Sequence, residues 1–350
     1  MKALLLIPSV LRPGPTNGEA PMMDYHALAR RIRQDGEADM LDYAAVDASV
    51  DPVVSLFRRM LGRDTALAVL GFRRLRGYDV VFTNGENVGI PLALLLKSVR
   101  RRPGHVTIGH RLSTGKKRLF FSLLKVHDQI DRILLYATRQ KEYAQSTLGL
   151  PAKKLRLIAF QADQRFFHPT VAQEITGQIC AAGLEWRDYP TLIEAVGGRP
   201  DVSVKLAAAS PWSKHVDETE GRTLPANVDA RRYDYAALRD LYARSQVVIV
   251  PLYETDFQAG ITTILEAMAM GKPVVATRTT GQTDSIIDGV NGVLVPVGDA
   301  AALREAIDRL LCDANLRETL GRAARAWVED HATLDLWVEK VVDALRETAV

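Results

Sequence analysis

At 350 residues, with 47% hydrophobic and 25% charged residues, the chain has the composition of an ordinary globular protein and the length of two domains. That balance excludes a disordered chain, and no apolar run approaches the roughly 20 residues that span a bilayer. The net charge of +3 conceals a segregation, because fifteen Lys and Arg between Phe57 and Lys125 stand against Asp64, Asp79 and Glu86, leaving the remainder net acidic.

A basic face of this kind suits a membrane surface, a nucleic acid or an anionic acceptor. Nucleic acid is set aside, since zinc-finger spacing and an aromatic RNA-recognition signature are both missing. The opening Met1–Pro8 reads as a short buried strand, too brief for a signal sequence and without a cleavage site. Cys180 and Cys312 lie in no paired-ligand spacing, which suits a reducing compartment. The expected location is the cytoplasm, with peripheral association at the inner face of the membrane through the basic region 57–125.

In chain order, short apolar strands alternate with helical patterns, the signature of a parallel sheet covered on both faces. Strands are predicted at Ala3–Ile7, Val80–Thr83, Val106–Gly109, Ile133–Tyr136 and Leu155–Ala159, with helices at Asp24–Arg33, Ile90–Val99 and Arg139–Leu148. A second alternation follows: helix Tyr189–Val196, strand Val202–Ala207, helix Tyr235–Arg244, strand Val247–Pro251, helix Gly260–Met270, strand Pro273–Thr277 and the segment Gly292–Pro296. The boundary falls near Phe166–Thr170. Residues 301–350 read as helices, with Asp299 as an N-cap. Lys116-Lys117-Arg118 beside Leu119–Leu124 reads either as an interfacial helix or as a surface helix packing Leu119, Phe120, Leu123 and Leu124 onto a sheet.

The most informative stretch is Gln258–Ala276. Gly260 opens a helix whose first amides have no intrahelical acceptor, and neither Asp nor Glu lies between Gln258 and Leu265 to repel an anion. Thr262 and Thr263 could add hydroxyl donors, and Glu266 follows on the same helix. An anion site and a well-capped buried helix are both consistent with this pattern. His110, Asn84 and Glu86 follow predicted strands of the first alternation, where ligands of doubly wound sheets bind. The Asp-X-Asp pair that would hold a divalent ion is missing, and the histidines are scattered singly, so no metal is expected.

The run Val250-Pro-Leu-Tyr253 through Glu266-Ala-Met-Ala-Met-Gly-Lys-Pro-Val-Val-Ala276, then Gly281, Asp288-Gly-Val-Asn-Gly292, Val295-Pro296 and Gly298-Asp299, resembles the C-terminal half of retaining GT-B glycosyltransferases of the large family 4 group. Gly183–Ala195 resembles that group's diphosphate-binding strand-to-helix segment, and Asp163 with Phe166–Pro169 its interdomain linker. The resemblance covers nearly the whole chain and is dense from about 180 to 300.

It implies an α/β, GT-B fold: two Rossmann-like doubly wound domains facing across a cleft. An N-terminal acceptor domain (1–165), a linker (166–178), a nucleotide-sugar donor domain (179–330) and a C-terminal helix (331–350) packing back on the first domain are expected. It also implies transfer of a hexose from a nucleotide-sugar to a glycan, lipid-linked or small-molecule acceptor, without metal or resident cofactor. Arg187 would neutralise the departing diphosphate, the amides of Gly260, Ile261, Thr262 and Thr263 would assist, and Glu266 would grip the nucleotide ribose.

His110 would reach the sugar, and Asn84, Glu86 and Arg111 would lie on the acceptor side. The first loop normally carries a paired-glycine turn near the donor phosphate; here Gly14 and Gly18 are spaced apart, and Gly18 is the better candidate. Gln258 departs from the group's first glutamate. An amide still exchanges hydrogen bonds with sugar hydroxyls but brings no negative charge to an oxocarbenium-like transition state. A nucleotide-sugar epimerase and a non-catalytic nucleotide-sugar-binding protein are the alternatives.

Overall fold

A computed structural model describes residues 1–14, 18–169, 172–207, 224–282 and 284–350. Positions 15–17 of the first loop, and 170 and 171 of the expected linker, lie outside the described residues. The chain divides into two units, the first built from 1–14, 22–159 and 335–350 and the second mainly from 160–334.

In the first unit, β1 (Lys2–Leu6), β2 (Glu37–Leu41), β3 (Val80–Thr83), β4 (Gly104–Gly109), β5 (Arg132–Leu135) and β6 (Leu155–Leu157) form one sheet in the order β2-β1-β3-β4-β5-β6. Every pairing is parallel. The helices are α1 (Asp24–Ile32), α2 (Tyr43–Asp47), α3 (Pro52–Arg73), α4 (Glu86–Leu96), α5 (Gly115–Ser122) and α6 (Thr138–Ser146). The β1, β3 and β5 strands are nearly unbroken apolar runs because both sheet faces are covered. The helix expected at Ile90–Val99 starts instead at Glu86, directly after Gly85, whose φ of 145° breaks the preceding strand.

The second unit contains β7 (Gln178–Ala182), β8 (Ser203–Ala207), β9 (Val228–Arg231), β10 (Val247–Val250), β11 (Val274–Thr277) and β12 (Val293–Val295), ordered β12-β11-β10-β7-β8-β9 and again parallel. Its helices are α7 (Tyr189–Val196), α8 (Tyr235–Arg244), α9 (Ile261–Ala269), α10 (Ala300–Cys312) and α11 (Ala314–His331). Leu192, Val204, Ile249, Ile307 and Leu310 meet in its core. The last helix, α12 (Leu334–Thr348), buries Trp337 completely, and its indole donates to the Tyr136 hydroxyl of the first unit at 3.1 Å.

Aspartate sets many of the helix starts. Asp42, Asp51, Asp188, Asp234, Asp299 and Asp313 each accept a backbone N–H in the first turn of the helix that follows, satisfying a donor the helix cannot pair internally. Pro52 and Pro190 follow two of these caps, where a missing N–H costs nothing. No described helix is long and apolar enough to cross a membrane.

Both sheets reverse their winding beside their first strand. In the second unit the chain steps from β7 outward to β8 and β9, then returns to lay β10 on the other side of β7. The loops after β7 and β10 therefore lie side by side at the carboxyl ends of neighbouring strands, the switch point where ligands of doubly wound sheets bind.

Candidate functional site

Arg187 comes from the loop after β7, and the segment Leu252–Gly260 follows β10. The two loops are pinned to each other by an antiparallel bridge between Arg187 and Leu252. Arg187 is 6% exposed, and its guanidinium is fixed on three sides. Nε donates to the Ala182 carbonyl at 2.8 Å, Nη1 to the Glu185 carbonyl at 2.8 Å, and Nη2 to the Thr263 hydroxyl at 3.1 Å. A guanidinium has five N–H groups, so two remain for a ligand. Burial lowers its pKa from the usual value, yet a group this basic stays charged at neutral pH.

Two glycines make room for it. A Cβ on Gly183 would stand 2.5 Å from Arg187 Nη2, and one on Gly260 would stand 3.2 Å from Nη1 and 2.7 Å from Val250 Cγ1. Gly260 also caps α9 with a left-handed φ of 74°, so the chain turns sharply and presents the first-turn amides. Those of Ile261, Thr262 and Thr263 take no acceptor among the described residues, as expected at a helix start. Thr262 is exposed. Thr263 differs from the sequence expectation: it is buried, and its hydroxyl donates to the Ala182 carbonyl at 3.3 Å, so it anchors Arg187 and has no proton left for an anion.

Glu266 lies one turn further along α9 and is 8% exposed. Its Oε2 accepts the Tyr242 hydroxyl of α8 at 3.0 Å. Burial pushes its pKa up to about 8, against the opposing pull of the Tyr242 hydrogen bond and the Arg187 charge. Oε1 has no donor among the described residues, which leaves one oxygen for an incoming hydroxyl. Tyr242 carries no motif and escapes sequence reasoning; only the tertiary approach of α8 to α9 reveals it. Tyr242→Phe is expected to lower stability by about 1–3 kcal/mol in urea melts, because it leaves a buried acceptor unpaired. A loss below about 0.5 kcal/mol would remove this hydrogen bond from the account.

Gln258 sits in the loop before α9 with its Oε1 buried and without a hydrogen-bond partner. An orphaned buried acceptor is costly and rare, so a donor supplied by a ligand is the natural complement. Phe257 beside it meets Trp186 edge-on, ring centroids 6.0 Å apart, and Trp186 has a left-handed φ of 57°. These two rings belong to the residues that immediately precede Arg187 and Gln258.

In the first unit, His110 directly follows β4, is exposed, and lies against Tyr136 with ring centroids 5.5 Å apart. Glu86 is almost fully buried and committed to structure. It accepts the backbone N–H groups of His110 (2.8 Å) and Arg111 (3.2 Å) and the Lys117 ammonium (2.6 Å). Burial pushes its carboxyl up, but the His110 and Lys117 charges and these hydrogen bonds outweigh it, so the pKa lies below the ordinary carboxylate value.

Glu86 thus shapes the turn that displays His110, a different task from the acceptor contact expected of it. Asn84 donates to Asp24 at 3.2 Å. Asp24, expected from the sequence only as a helix start, has its pKa raised by burial. Gly18 lies in an exposed bend with a left-handed φ of 68° and nothing within 4 Å of an added Cβ. A cavity of about 580 Å³ in the second unit, lined by Met270, Gly271, Arg317, Arg325 and Glu329, contains none of the site residues. Among the described residues no three His, Cys, Asp or Glu gather closely enough to hold a metal.

Two doubly wound parallel sheets, each with its switch-point loops, define the GT-B class of α/β fold. The chain is similar to sucrose-phosphate synthase from Thermosynechococcus elongatus (TM-score 0.76, 18% identity, 99% of each chain covered). It is also similar to Anabaena Alr3699/HepE in complex with UDP-glucose (TM-score 0.74, 16% identity, covering 99% of this chain and 100% of that one).

Residues 187–313 match the family described as Glycosyl transferases group 1, so over that span the chain is similar to these glycosyltransferases. Among curated relatives, the D-inositol 3-phosphate glycosyltransferase of Arthrobacter sp. is 30% identical over 188 residues, covering 54% of this chain and 41% of that protein. The capsular polysaccharide biosynthesis glycosyltransferase CapM of Staphylococcus aureus is 35% identical over 89 residues, covering 25% of this chain and 23% of that protein. The matched segments thus span less than half the length of these relatives.

Proposed function

We propose that the chain is a retaining, metal-independent hexosyltransferase that moves a sugar from a nucleotide-sugar to an acceptor hydroxyl. The observation that carries this reading is the convergence, at one switch point, of a locked Arg187, the open amides of α9 and a half-free Glu266 carboxyl. The cation and amides suit a diphosphate, and the carboxyl suits a ribose hydroxyl.

As the bond from the sugar's anomeric carbon to the diphosphate oxygen lengthens, negative charge grows on that oxygen, and Arg187 together with the helix start stabilises it in place. The acceptor oxygen attacks from the same face, and its proton passes to the departing diphosphate oxygen, so no side chain is needed as base. Gln258, with its unpaired Oε1, exchanges hydrogen bonds with donor-sugar hydroxyls. The resemblance assigns His110 to the same sugar, and His110→Ala enters the same assay. The reading includes a cytoplasmic chain held peripherally at an anionic membrane through the basic stretch 57–125.

The test is a panel of nucleotide sugars, uridine nucleotides first because solved relatives of the fold carry UDP and UDP-glucose. Slow donor hydrolysis that persists with a chelator is expected, and Glu266→Ala should weaken nucleotide binding by about tenfold or more. Undiminished nucleotide affinity in Glu266→Ala would count decisively against the site. Isomerisation without acceptor would instead mark an epimerase, and binding without turnover a non-enzyme.

A further inference from the structure

The first unit carries an unpartnered apolar surface on two elements. Of the sixteen large apolar side chains that stand exposed among the described residues, eight fall in the short segments 50–61 and 119–124, a concentration that scattered surface exposure does not produce. On α3, Leu56 is 53%, Met60 69% and Leu61 60% exposed, while the contacts that bury this helix are concentrated at Ala66–Gly71. The two halves are separated by Gly62, whose backbone (φ 85°, ψ 178°) is non-helical, so the front half runs along its own axis.

On α5 and its end, Leu119 is 56% and Leu123 70% exposed, and Phe121 alone is fully buried. Of the four side chains expected to pack if this were a surface helix, Phe120 does so and Leu119, Leu123 and Leu124 do not. Both elements cover the same face of the sheet. Leu4, Val81, His105 and, one step along β4, Thr107 with Ile133 register in line, and α4 sits between α3 and α5, packing Leu92 on one side and Ile90 and Ala93 on the other.

The charges around these side chains select the occupant. Arg59 on α3, Lys116 and Arg118 on α5 and Lys125 just beyond it have no carboxylate partner among the described residues, nor have Arg100 and Arg101. Two copies of so basic a face would repel each other, which argues against a symmetric dimer through it. A row of projecting Leu and Met with cationic neighbours fits an anionic lipid surface, where the apolar tips enter the acyl boundary and the cations meet headgroup phosphates.

We propose that the front half of α3 (52–61) and α5 with Leu123 and Leu124 together form a two-pronged docking face for an anionic bilayer. This rests on the peripheral placement given above and assigns it to particular side chains. Its readout is vesicle binding, while the transferase reading stands or falls on nucleotide binding, so the two can fail separately.

The full chain is incubated with vesicles of phosphatidylglycerol and phosphatidylcholine, or of phosphatidylcholine alone, at low and high salt, and sedimented. Binding to the anionic vesicles alone, weakened by salt, is expected. The variants Leu56→Gln/Met60→Gln/Leu61→Gln and Leu119→Gln/Leu123→Gln should each reduce it about tenfold with an unchanged Tm, because the substituted side chains already face water. Met60→Trp should show a blue-shifted emission with anionic vesicles. Failure of the unmodified chain to sediment, undiminished binding in both variants, an unshifted Met60→Trp spectrum, or dimerisation in place of vesicle binding would each overturn the proposal.

Discussion

Glu266→Gln is expected to abolish a loss of stability that the unmodified chain suffers between about pH 4.5 and pH 8. The carboxyl ionises at 4.5 in the unfolded chain and at about 8 in the folded one, because it is held in an apolar surround beside Tyr242. Between those values the folded state holds the extra proton, so stability falls as pH rises; below them both states are protonated and above them both are ionised, and the slope vanishes. A separation of that size corresponds to on the order of 5 kcal/mol. Glutamine keeps the shape and cannot ionise. Chemical melts of both proteins from pH 5 to pH 9 isolate this one group, since every other titration is common to the pair. The curves should lie close together at pH 5 and diverge by several kcal/mol at pH 9; parallel curves would show that the carboxyl is not desolvated in the folded chain.

The second large effect belongs to Gly260. Alanine there meets two independent penalties, a left-handed backbone at φ 74° and a methyl group 2.7 Å from Val250 Cγ1. The first costs about 1–2 kcal/mol and the second about 1–3 kcal/mol, for a total of about 2–5 kcal/mol. The same methyl stands 3.2 Å from Arg187 Nη1, so nucleotide affinity should fall along with stability. Gly289 provides the control. Its φ is also 74°, but nothing lies within 4 Å of an added Cβ, so Gly289→Ala should show the backbone cost alone. Equal losses at the two positions would refute the packing half of the argument.

The residues that could be located from sequence are those whose role is local. Tyr189–Val196 and Tyr235–Arg244 form helices with the expected bounds because cap and periodicity agree there. Val80–Thr83 is a strand as expected because it is a short β-branched run buried on both faces. The strands that carry no sequence expectation fail for identifiable reasons. β2 and β9 are edge strands with Glu37, Asp39, Asp229 and Arg231 among their residues, so neither shows an apolar run. β7 is central and fully buried but ends in Ala181-Ala182, whose small side chains give a weak β signal.

Within the site, Arg187, Gly260 and Glu266 were legible because a motif of fixed spacing names them. The structural tasks of the Thr263 hydroxyl and of Glu86 were not legible, since only tertiary contact shows that one anchors a guanidinium and the other binds a turn. Tyr242 and Asp24 were invisible for the same reason: their partners lie 24 and 60 positions away.

The burial of Trp337 against Tyr136 ties the end of the chain to its beginning half. Apart from residues 15–21, which group with the second unit, the polypeptide leaves the first unit at residue 159 and re-enters it at 335, so the second unit is largely an insertion in the first. The last helix of the first unit is therefore synthesised only after almost all of the second. On the ribosome the first sheet is complete long before Trp337 emerges, and the surface that Trp337 covers stays open until the final turns of the chain are made.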